Sequence, residues 1–446
     1  MGSPARRQGR AVTFNDKGFL KFLRELMDNL THTLIGLIAG ESVAHSTRTR
    51  EPGLAPEVRR GLFVATAAIG GNLPDLDLIY SYRGVPHDTQ AKLSYVLQHR
   101  GYTHTVLGCL VLAALLYAGA ELWLRYRHLA VTRRDRLELA GMCIFGTFLH
   151  LGMDFLNSYG VHPFWPVENG WFYGDSVFIV EPLYWAAAAP LIFVTRSTVV
   201  RVVIALALLA VPVLNVVTDL IPTGSCVGFV LVTALLLVVG WRASARTAAI
   251  ASAVTMLACT GTFIAGGQLA ARSLDAIAAA EFPSDHIVDH VLSPGPLDPL
   301  CWNVLLLETS GDHYVVRRAV VSSTPVLLSA NQCPPSPNQP RLNQPTAVPM
   351  TPVVAPQSRA IHWLGEFSMS RTVLAQIVAG NCDAAAFMRF ARAPFVAELE
   401  RKWVIGDLRF PGGPGGGMAN IDLHPDSPGP CPRTPPWTPP REALLH

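Results

Sequence analysis

Charged residues are scarce in this sequence, and their scarcity argues against an ordinary soluble protein. Only 15% of the 446 residues are Asp, Glu, Lys or Arg, whereas half are hydrophobic. A soluble protein of this size usually carries about 25% charged residues. The deficit is concentrated in the first 272 residues, and the remainder has the composition of soluble sequence. We therefore expect a membrane domain followed by a soluble tail domain.

Two further absences narrow the function. The formal net charge of +3 is small and no nucleic-acid motif is present, so nucleic acid is not an expected partner. Phosphate-loop and dinucleotide-binding glycine motifs are also missing. The eight cysteines form no Cys-x-x-Cys pair, which argues against a zinc–thiolate site. Those in the tail are Cys301, Cys333, Cys382 and Cys431. These four could form disulfides if the tail lies outside the cytoplasm, or they could remain free thiols.

The apolar segments predict an all-α polytopic membrane helix bundle. Spanning a bilayer takes roughly 20 apolar residues in a helix. The six strongest segments are 106–124, 137–159, 177–195, 199–217, 227–241 and 248–270. Segments 30–44 and 62–80 are weaker candidates, rich in the small residues that let membrane helices pack closely.

The chain divides into four predicted parts. Residues 1–28 form a basic N-terminal segment, and residues 29–272 form the membrane helix domain. Residues 273–410 predict a small α+β, β-rich soluble domain, with two strands around Ser310-Gly-Asp312 and a Pro-rich loop at 334–356. Residues 411–446 are rich in Gly and Pro, and we expect them to be disordered.

Ionisable residues are few in the membrane half, and most are His and Asp in four compact motifs. The motifs are His32-Thr-Leu, Asn72-Leu-Pro-Asp75-Leu-Asp77, His99-Arg-Gly-Tyr-Thr-His104 and His150-Leu-Gly-Met-Asp154. The four-residue spacing places His150 and Asp154 on one helix face. An Asp inside an apolar helix costs about 2.5–3.5 kcal/mol on insertion, which a bound cation would offset.

The other motifs also carry groups that suit a metal or an anionic ligand. Pro74 interrupts the helix, so that Asp75 and Asp77 can turn toward one point and hold one metal or bridge two. Neutral imidazole is a common ligand of zinc and other transition metals. Arg100 could hold a phosphate. Each motif alone has a structural explanation, such as a solvated loop, a helix cap or an Asp–His hydrogen bond. Together, four motifs beside apolar segments predict one shared metal site.

Two residue groups outside these motifs need separate interpretation. The remaining histidines, His162 among them, lie in loops or the tail and are mostly expected at the surface. Glu181 lies inside an apolar segment and faces an insertion cost. We expect it either to support the metal ligands or to act as a polar residue in helix packing.

The distribution of Lys and Arg predicts the orientation of the spans. Basic turns at 125–136, 196–201 and 242–246 alternate with the turns 158–176 and 219–226, which contain no Lys or Arg. Because cytoplasmic loops carry the excess of Lys and Arg, the non-basic turns are expected outside. This places the motifs and the tail on the non-cytoplasmic side, although the basic N-terminus does not fit the same pattern.

The four motifs in this order resemble the membrane-bound metal-dependent hydrolase family, also described as LexA-regulated. The resemblance is close from 29 to 181 and includes the extended motif His150-x-x-x-Asp154-x-x-Asn157-x-Tyr159-Gly160. It implies a bacterial inner-membrane protein with a divalent-metal site, zinc or manganese, of one or two ions. The ligands it implies are His32, Asp75, Asp77, His99, His104, His150 and Asp154. Asn157 and Glu181 would support them, with Glu181 standing where family members often have Asp.

The resulting hypothesis is a membrane-bound metal-dependent hydrolase that acts on a phosphoester or lipid-linked substrate at the membrane edge. A metal-activated water would attack, Asp75 would act as general base, and Arg100 would stabilise charge on a phosphate-like group. A metal or ion transporter would use the same His and Asp residues as a cation path, with ligands spread through the membrane depth. A non-enzymatic membrane scaffold would bind no metal. The sequence leaves the oligomeric state open.

Overall fold

A computed structural model describes residues 17–47, 53–81, 89–218, 221–334, 348–399, 401–410, 417–423, 431 and 434–446. Most of the predicted basic N-terminal segment and residues 335–347 of the predicted Pro-rich loop lie outside this range. The helices are α1 (Lys17–Ser46), α2 (Pro56–Gly70), α3 (Leu78–Ser81), α4 (Thr89–Gln98), α5 (Val106–Tyr126), α6 (Arg133–Phe155), α7 (Pro182–Ala187), α8 (Leu191–Val194), α9 (Thr198–Thr218), α10 (Thr223–Arg242) and α11 (Ala245–Glu281). Short 3₁₀ helices form at Pro74–Asp77 and Tyr102–His104.

The fold class predicted from the sequence is confirmed: a mostly helical membrane part precedes a domain of antiparallel sheets. Among the described residues, α5, α9, α10 and α11 are long and apolar enough to cross a membrane. The pair formed by α2 and the segment Pro74–Ser81, bent by 42°, qualifies as a fifth span if counted as one. Helix α6 is continuous over 23 residues but is not among these spans.

The predicted span at 177–195 is wrong. The chain there forms the two short helices α7 and α8 instead of one long helix. Pro190 is the N-cap of α8, and a proline at this junction cannot continue the hydrogen-bond ladder of α7. Ala186 through Ala189 are fully buried against the other helices. The apolar run therefore fills the interior of the bundle and does not face lipid along a full span. The assignment of the loops to the two sides of the membrane counted this segment as a span. The periplasmic placement of the motifs and the tail therefore stays a prediction.

The C-terminal domain consists of two antiparallel sheets. Its elements are β1 (His286–Gly295), β2 (Asp298–Ser310), β3 (His313–Ser322), β4 (Ile361–Ser370), α12 (Arg371–Gly380), α13 (Cys382–Phe387), β5 (Pro394–Leu399), β6 (Lys402–Asp407) and β7 (Asn420–Asp422). Strands β1–β4 form one sheet in sequential order, and β5–β7 form the other. The predicted pair of strands around Ser310-Gly-Asp312 is confirmed as the β2–β3 hairpin, where Gly311 adopts a φ of +58°.

The two parts share their cores instead of meeting at a linker. Helix α11 continues past the predicted boundary at 272 to Glu281, and its buried Phe263 and Leu274 pack with Trp302 of β2. A helix of 37 residues is about 55 Å long, well beyond the roughly 30 Å of a bilayer core. Leu297, at the tip of the β1–β2 hairpin, packs among buried residues of the membrane helices such as Trp185. The sheet domain is thus seated on the bundle.

Part of the C-terminal region expected to be disordered is folded. Residues 420–422 form β7, and Trp437 is completely buried. The indole of Trp437 donates a hydrogen bond to Leu97 O at 2.8 Å, and Cys431 is disulfide-bonded to Cys382. A Gly- and Pro-rich composition does not prevent order when one aromatic side chain is anchored by a distant part of the chain. The second disulfide joins Cys301 to Cys333.

Candidate metal centre

The interruption after α2 presents Asp75 and Asp77 to the interior. Pro74 begins a 3₁₀ helix that ends at Asp77, and the following α3 continues at an angle to α2. Both carboxylates are buried, with relative exposures of 8% and 0%, whereas Leu76 between them is 49% exposed. The sequence prediction that the proline lets the two carboxylates turn inward therefore agrees with the geometry.

Asp77 organises the turn that carries His99 and His104. Its Oδ1 lies 3.0 Å from His99 Nδ1, and its Oδ2 accepts the Arg100 backbone N–H at 2.8 Å. The same Oδ2 accepts the Thr103 hydroxyl at 3.1 Å and lies 3.2 Å from His104 Nδ1. Arg100 adopts a left-handed φ of +58°, and the Asp77 contacts hold this turn in place. Both Asp77 oxygens therefore contact the His99–His104 turn and lie on the Nδ1 side of the two imidazoles.

Four side-chain atoms converge on one point in front of these imidazoles. His104 Nε2 and His150 Nε2 are 3.0 Å apart, and each lies 3.5 Å from Asp75 Oδ1. Asp154 Oδ2 is 3.1 Å from His104 Nε2 and 3.4 Å from His150 Nε2. All four residues are buried. We call this group of Asp75, His104, His150 and Asp154 the four-residue cluster.

The hydrogen-bond partners fix which ring nitrogens carry protons. His150 Nδ1 lies 2.8 Å from the carbonyl of Gly71, which can only accept, so Nδ1 carries the hydrogen. His104 Nδ1 faces the Thr103 hydroxyl oxygen at 3.0 Å and the Asp77 carboxylate, which also assigns its hydrogen to Nδ1. With the hydrogen on Nδ1, the neutral form of each imidazole offers its Nε2 lone pair to the centre of the cluster. Such support of the distal nitrogen is typical of metal-ligating histidines.

The spacing and the charge of the four-residue cluster fit a divalent cation. Tetrahedral zinc with bonds of about 2.0–2.1 Å places neighbouring ligand atoms roughly 3.3 Å apart, close to the observed separations of 3.0–3.5 Å. Asp154 Oδ2 is buried and has no hydrogen-bond partner among the described residues. Among the described residues, the buried carboxylates near the cluster outnumber the guanidinium of Arg100, and buried charge of one sign requires compensation.

Close helix packing brings His32 to the edge of the cluster. A Cβ at Gly36 or Gly40 would come within 2.6 Å of the α2 backbone, so these glycines let α1 lie directly against α2. His32 consequently stacks on His150 with ring centroids 4.0 Å apart. Its Nε2 is 3.3 Å from Asp154 Oδ1 but makes no hydrogen bond within the described part of the chain. Since His32 reaches the other oxygen of Asp154, that carboxylate joins His32 to the cluster.

His99 belongs to a second group of potential ligands that shares Asp75 with the first. The nearby ligand atoms of Asp75, Asp77 and His99 lie within 4.8 Å of one another. The structure thus gathers all seven residues predicted as ligands into one buried region. Because Asp75 belongs to both groups, its carboxylate could bridge two metal ions, one in each group.

Arg100 is placed differently from its expected role at a substrate phosphate. Its side chain is only 1% exposed, with NH2 3.0 Å from Asp154 Oδ1 and NH1 donating to Asn157 Oδ1 at 2.8 Å. The guanidinium also lies over the ring of Tyr159 at 4.9 Å. These partners commit the charge of Arg100 to the protein interior, where it orients Asp154. Asn157, predicted as a supporting residue, is in position to hold Arg100.

The described contacts of Glu181 include none with the four-residue cluster. Its carboxylate accepts the Leu183 N–H at 3.0 Å, which caps α7, and the Leu297 N–H at 3.2 and 3.3 Å. Leu297 has a φ of +59° at the tip of the β1–β2 hairpin. Of the two roles expected for Glu181, the structure favours packing, because this residue fastens the hairpin to the helix bundle.

Sequence reasoning missed two residues that border the site. Asp28, four residues before His32, places its carboxylate 3.7 Å from His32 Nε2 and 3.8 Å from Arg100 NH2. The four-residue spacing on a helix is the signal that could have found it. His162 was expected at the surface but is completely buried, and its Nδ1 donates to the Arg100 carbonyl at 3.2 Å. No local pattern around His162 indicates this burial.

Burial controls the protonation of His162. Its ring stacks on Trp437 with centroids 3.8 Å apart and lies 3.9 Å from the ring of Trp171. Loss of solvent lowers the pKa of His162 to about 3, because the charged imidazolium is disfavoured in this aromatic pocket. The side chain therefore stays neutral near pH 7 and acts as a fixed hydrogen-bond donor to the His99–His104 turn.

Comparison with known proteins supports a membrane location. A family model described as "YdjM inner membrane protein" matches residues 27–221, the part of the chain that carries all four motifs. No curated protein and no solved structure matches this chain. The similarity and the apolar helices together indicate a membrane protein, with buried His and Asp groups that could hold a metal ion.

Proposed function

We propose that this protein is a membrane-bound metal-dependent hydrolase whose centre is the four-residue cluster. The observation that carries the proposal is the convergence of two imidazole Nε2 atoms and two carboxylate oxygens in one buried place, at separations that suit the ligands of a divalent metal. A bound divalent metal supplies a Lewis acid and lowers the pKa of water at this point. The hydrolytic reaction is proposed from the resemblance of the motifs.

The residues around the cluster have separable tasks in this proposal. Asp77 holds His104 so that Nε2 points at the centre, and the Gly71 carbonyl does the same for His150. Arg100 fixes Asp154 by its contact with Oδ1, which leaves Oδ2 directed at the cluster. This division resembles metal sites in which outer carboxylates and carbonyls orient the ligands.

Asp75 is the residue we propose as general base as well as ligand. At 8% exposed it is the most accessible member of the four-residue cluster, and it belongs to both groups of potential ligands. A carboxylate at the accessible side of such a centre can take a proton from an attacking water. A second ion between Asp75, Asp77 and His99 would make this a two-metal site, with zinc or manganese as the proposed metals.

The surroundings of Asp75 support the substrate class that we propose. Leu76 and Ile79 are 49% and 77% exposed beside the inward carboxylates, and Tyr102 is 37% exposed on the neighbouring turn. An apolar rim next to a polar centre in a membrane protein suits a lipid-like substrate. We propose a phosphoester or a lipid-linked substrate, with cleavage on the periplasmic side of a bacterial inner membrane.

A cation transporter is the rival that uses the same residues. A transport path spreads its ligands through the membrane depth, whereas the ligand atoms of the four-residue cluster lie 3.0–3.5 Å apart in the separations described above. The compact arrangement favours a resident metal. Metal flux into proteoliposomes containing the protein would support the transporter and contradict the proposed enzyme.

Hydrolysis is tested with purified protein in lipid nanodiscs, loaded with zinc or manganese and offered lipid phosphoesters. The proposal expects phosphate or alcohol release by the wild type, and no release after His104→Ala. His286→Ala removes an exposed histidine of β1 and serves as the matched control, which should retain full activity. Equal release by wild type and His104→Ala would contradict the proposed reaction.

A further inference from the structure

Arg409 of the C-terminal domain contacts the loop that carries the supports of the metal centre. It follows β6, and its side chain is 6% exposed. NH1 donates to the carbonyls of Ser158 at 2.8 Å and Tyr159 at 3.2 Å, about 250 residues away in sequence. These bonds join the sheet domain directly to the loop after α6.

The loop transmits this contact to the four-residue cluster through a continuous chain of hydrogen bonds. Asn157 Oδ1 accepts the Tyr159 backbone N–H at 2.9 Å and Arg100 NH1 at 2.8 Å. Arg100 NH2 in turn lies 3.0 Å from Asp154 Oδ1. Each step joins groups that are buried, so loss of one contact leaves a buried polar group unsatisfied. These contacts therefore connect Arg409 to Asp154 Oδ1, while Oδ2 of the same carboxylate faces the cluster.

The guanidinium itself is held rigidly by its own domain. Asp407 is completely buried and accepts hydrogen bonds from Arg409 Nε and NH2, and NH2 also donates to the Phe390 carbonyl at 3.0 Å. With Nε, NH1 and NH2 all engaged, Arg409 cannot rotate without losing several bonds. The planar fork of five donors suits this role, and the single ammonium of lysine cannot reproduce it.

We propose that Arg409 is a positioning residue for the metal centre, which is therefore completed by the C-terminal domain. Arg409 fixes the Ser158 and Tyr159 carbonyls, the loop fixes Asn157 and Arg100, and Arg100 aims the Asp154 carboxylate. The inference rests on the proposed metal centre, but it makes a separate claim: the membrane helices alone do not set the full affinity of the site.

The test measures Co²⁺ binding by the full-length protein in nanodiscs, with Arg409→Lys as the variant. Cobalt reports both affinity, by competition with a chelator, and ligand geometry, by its visible absorption. We expect Arg409→Lys to weaken binding about tenfold, within the range known for supports of metal ligands, and to change the cobalt spectrum. A purely structural role would lower the unfolding temperature without changing the spectrum of the protein that remains folded.

Arg317→Lys is the matched control, because Arg317 is a buried arginine of the same domain that pairs with Asp285, Glu308 and Glu366 instead of the loop. It should retain wild-type affinity and spectrum. Wild-type affinity and spectrum in Arg409→Lys would overturn the inference while leaving the metal centre intact. A wild type that binds no metal would instead contradict the proposed function.

If Arg409→Lys fails to fold, amide hydrogen exchange of the wild-type protein tests whether Arg409 positions the metal centre. Linkage requires that, if Arg409 favours metal binding, metal binding also stabilises the Arg409 contacts. We expect metal loading to slow amide exchange in residues 157–162 and also in residues 407–410. Protection confined to the ligand motifs, with unchanged exchange at 407–410, would overturn the inference.

Discussion

The Nε2 atoms of His104 and His150 face each other across 3.0 Å, while both rings hold their hydrogen on Nδ1. Two lone pairs at this distance repel unless a proton or a metal cation lies between them. Asp75 Oδ1, at 3.5 Å from each nitrogen, and Asp154 Oδ2 add two more acceptors.

Asp77→Asn should weaken metal binding at the four-residue cluster, whose four ligands it leaves in place. The amide retains an acceptor oxygen but loses the charge that holds His99 and His104, so we expect metal affinity to fall about 10- to 100-fold. Chelator competition measures the change. Asp135→Asn alters another buried carboxylate, at the far end of α6, and should affect stability but not metal affinity. Unchanged affinity in Asp77→Asn would show that Asp77 does not orient the two histidines.

Gly36→Ala should separate α1 from α2. The new Cβ would lie 2.6 Å from the Ala67 carbonyl oxygen, so the helices must move apart, at a cost of about 1–3 kcal/mol. Because α1 carries His32, metal affinity should also fall. Gly141→Ala is the control in α6, where a Cβ meets nothing within 4 Å and alanine favours the helix. Wild-type stability in Gly36→Ala would contradict the close packing of α1.

The cysteines provide a test of sidedness. Without reductant, a thiol reagent should label only the four free cysteines of the unfolded protein, since Cys301–Cys333 and Cys382–Cys431 are disulfides. Disulfides persist in oxidising compartments such as the periplasm. When the thiols are blocked by an alkylating reagent at the moment of cell lysis, the same four cysteines should be labelled. Labelling of all eight cysteines under those conditions would contradict a periplasmic C-terminal domain.

His162 should make the metal-free protein sensitive to acid. Above the ordinary pKa of about 6.5, the imidazole is neutral in both the folded and unfolded states and has no effect on pH dependence. Between about 6.5 and the folded-state pKa of about 3, the unfolded state binds the proton first, so stability falls as pH falls. His162→Phe should therefore lose less stability than wild type between pH 6.5 and 4 in denaturant unfolding at each pH. Parallel curves for the two proteins would contradict this contribution.

The sequence predicted which His and Asp residues lie together better than it predicted the path of the chain around them. His and Asp in apolar segments are costly, so their motifs stand out, and all of the residues predicted as ligands lie in one region. The span at 177–195 was wrong because hydropathy does not distinguish lipid-facing residues from residues buried in the bundle, such as Ala187. Pro182, which begins α7, and Pro190 were local signals of the break.

The contributions of the C-terminal domain could not be predicted from local patterns. Trp437 lies in a Gly- and Pro-rich segment, and its partner Leu97 is 340 residues away. Arg409 is one of many arginines, and nothing near it in sequence indicates a bond to Ser158. Such long-range contacts depend on how the sheet domain is seated on the helices, which composition and spacing do not encode.

Metal binding by the four-residue cluster is tested most directly by elemental analysis of the purified wild-type protein beside His104→Ala and His286→Ala. We expect at least one tightly bound divalent metal per chain in the wild type and in His286→Ala. We expect a loss of that metal in His104→Ala, with the protein still folded. A wild type without metal, or equal metal in wild type and His104→Ala, would contradict metal binding by the cluster.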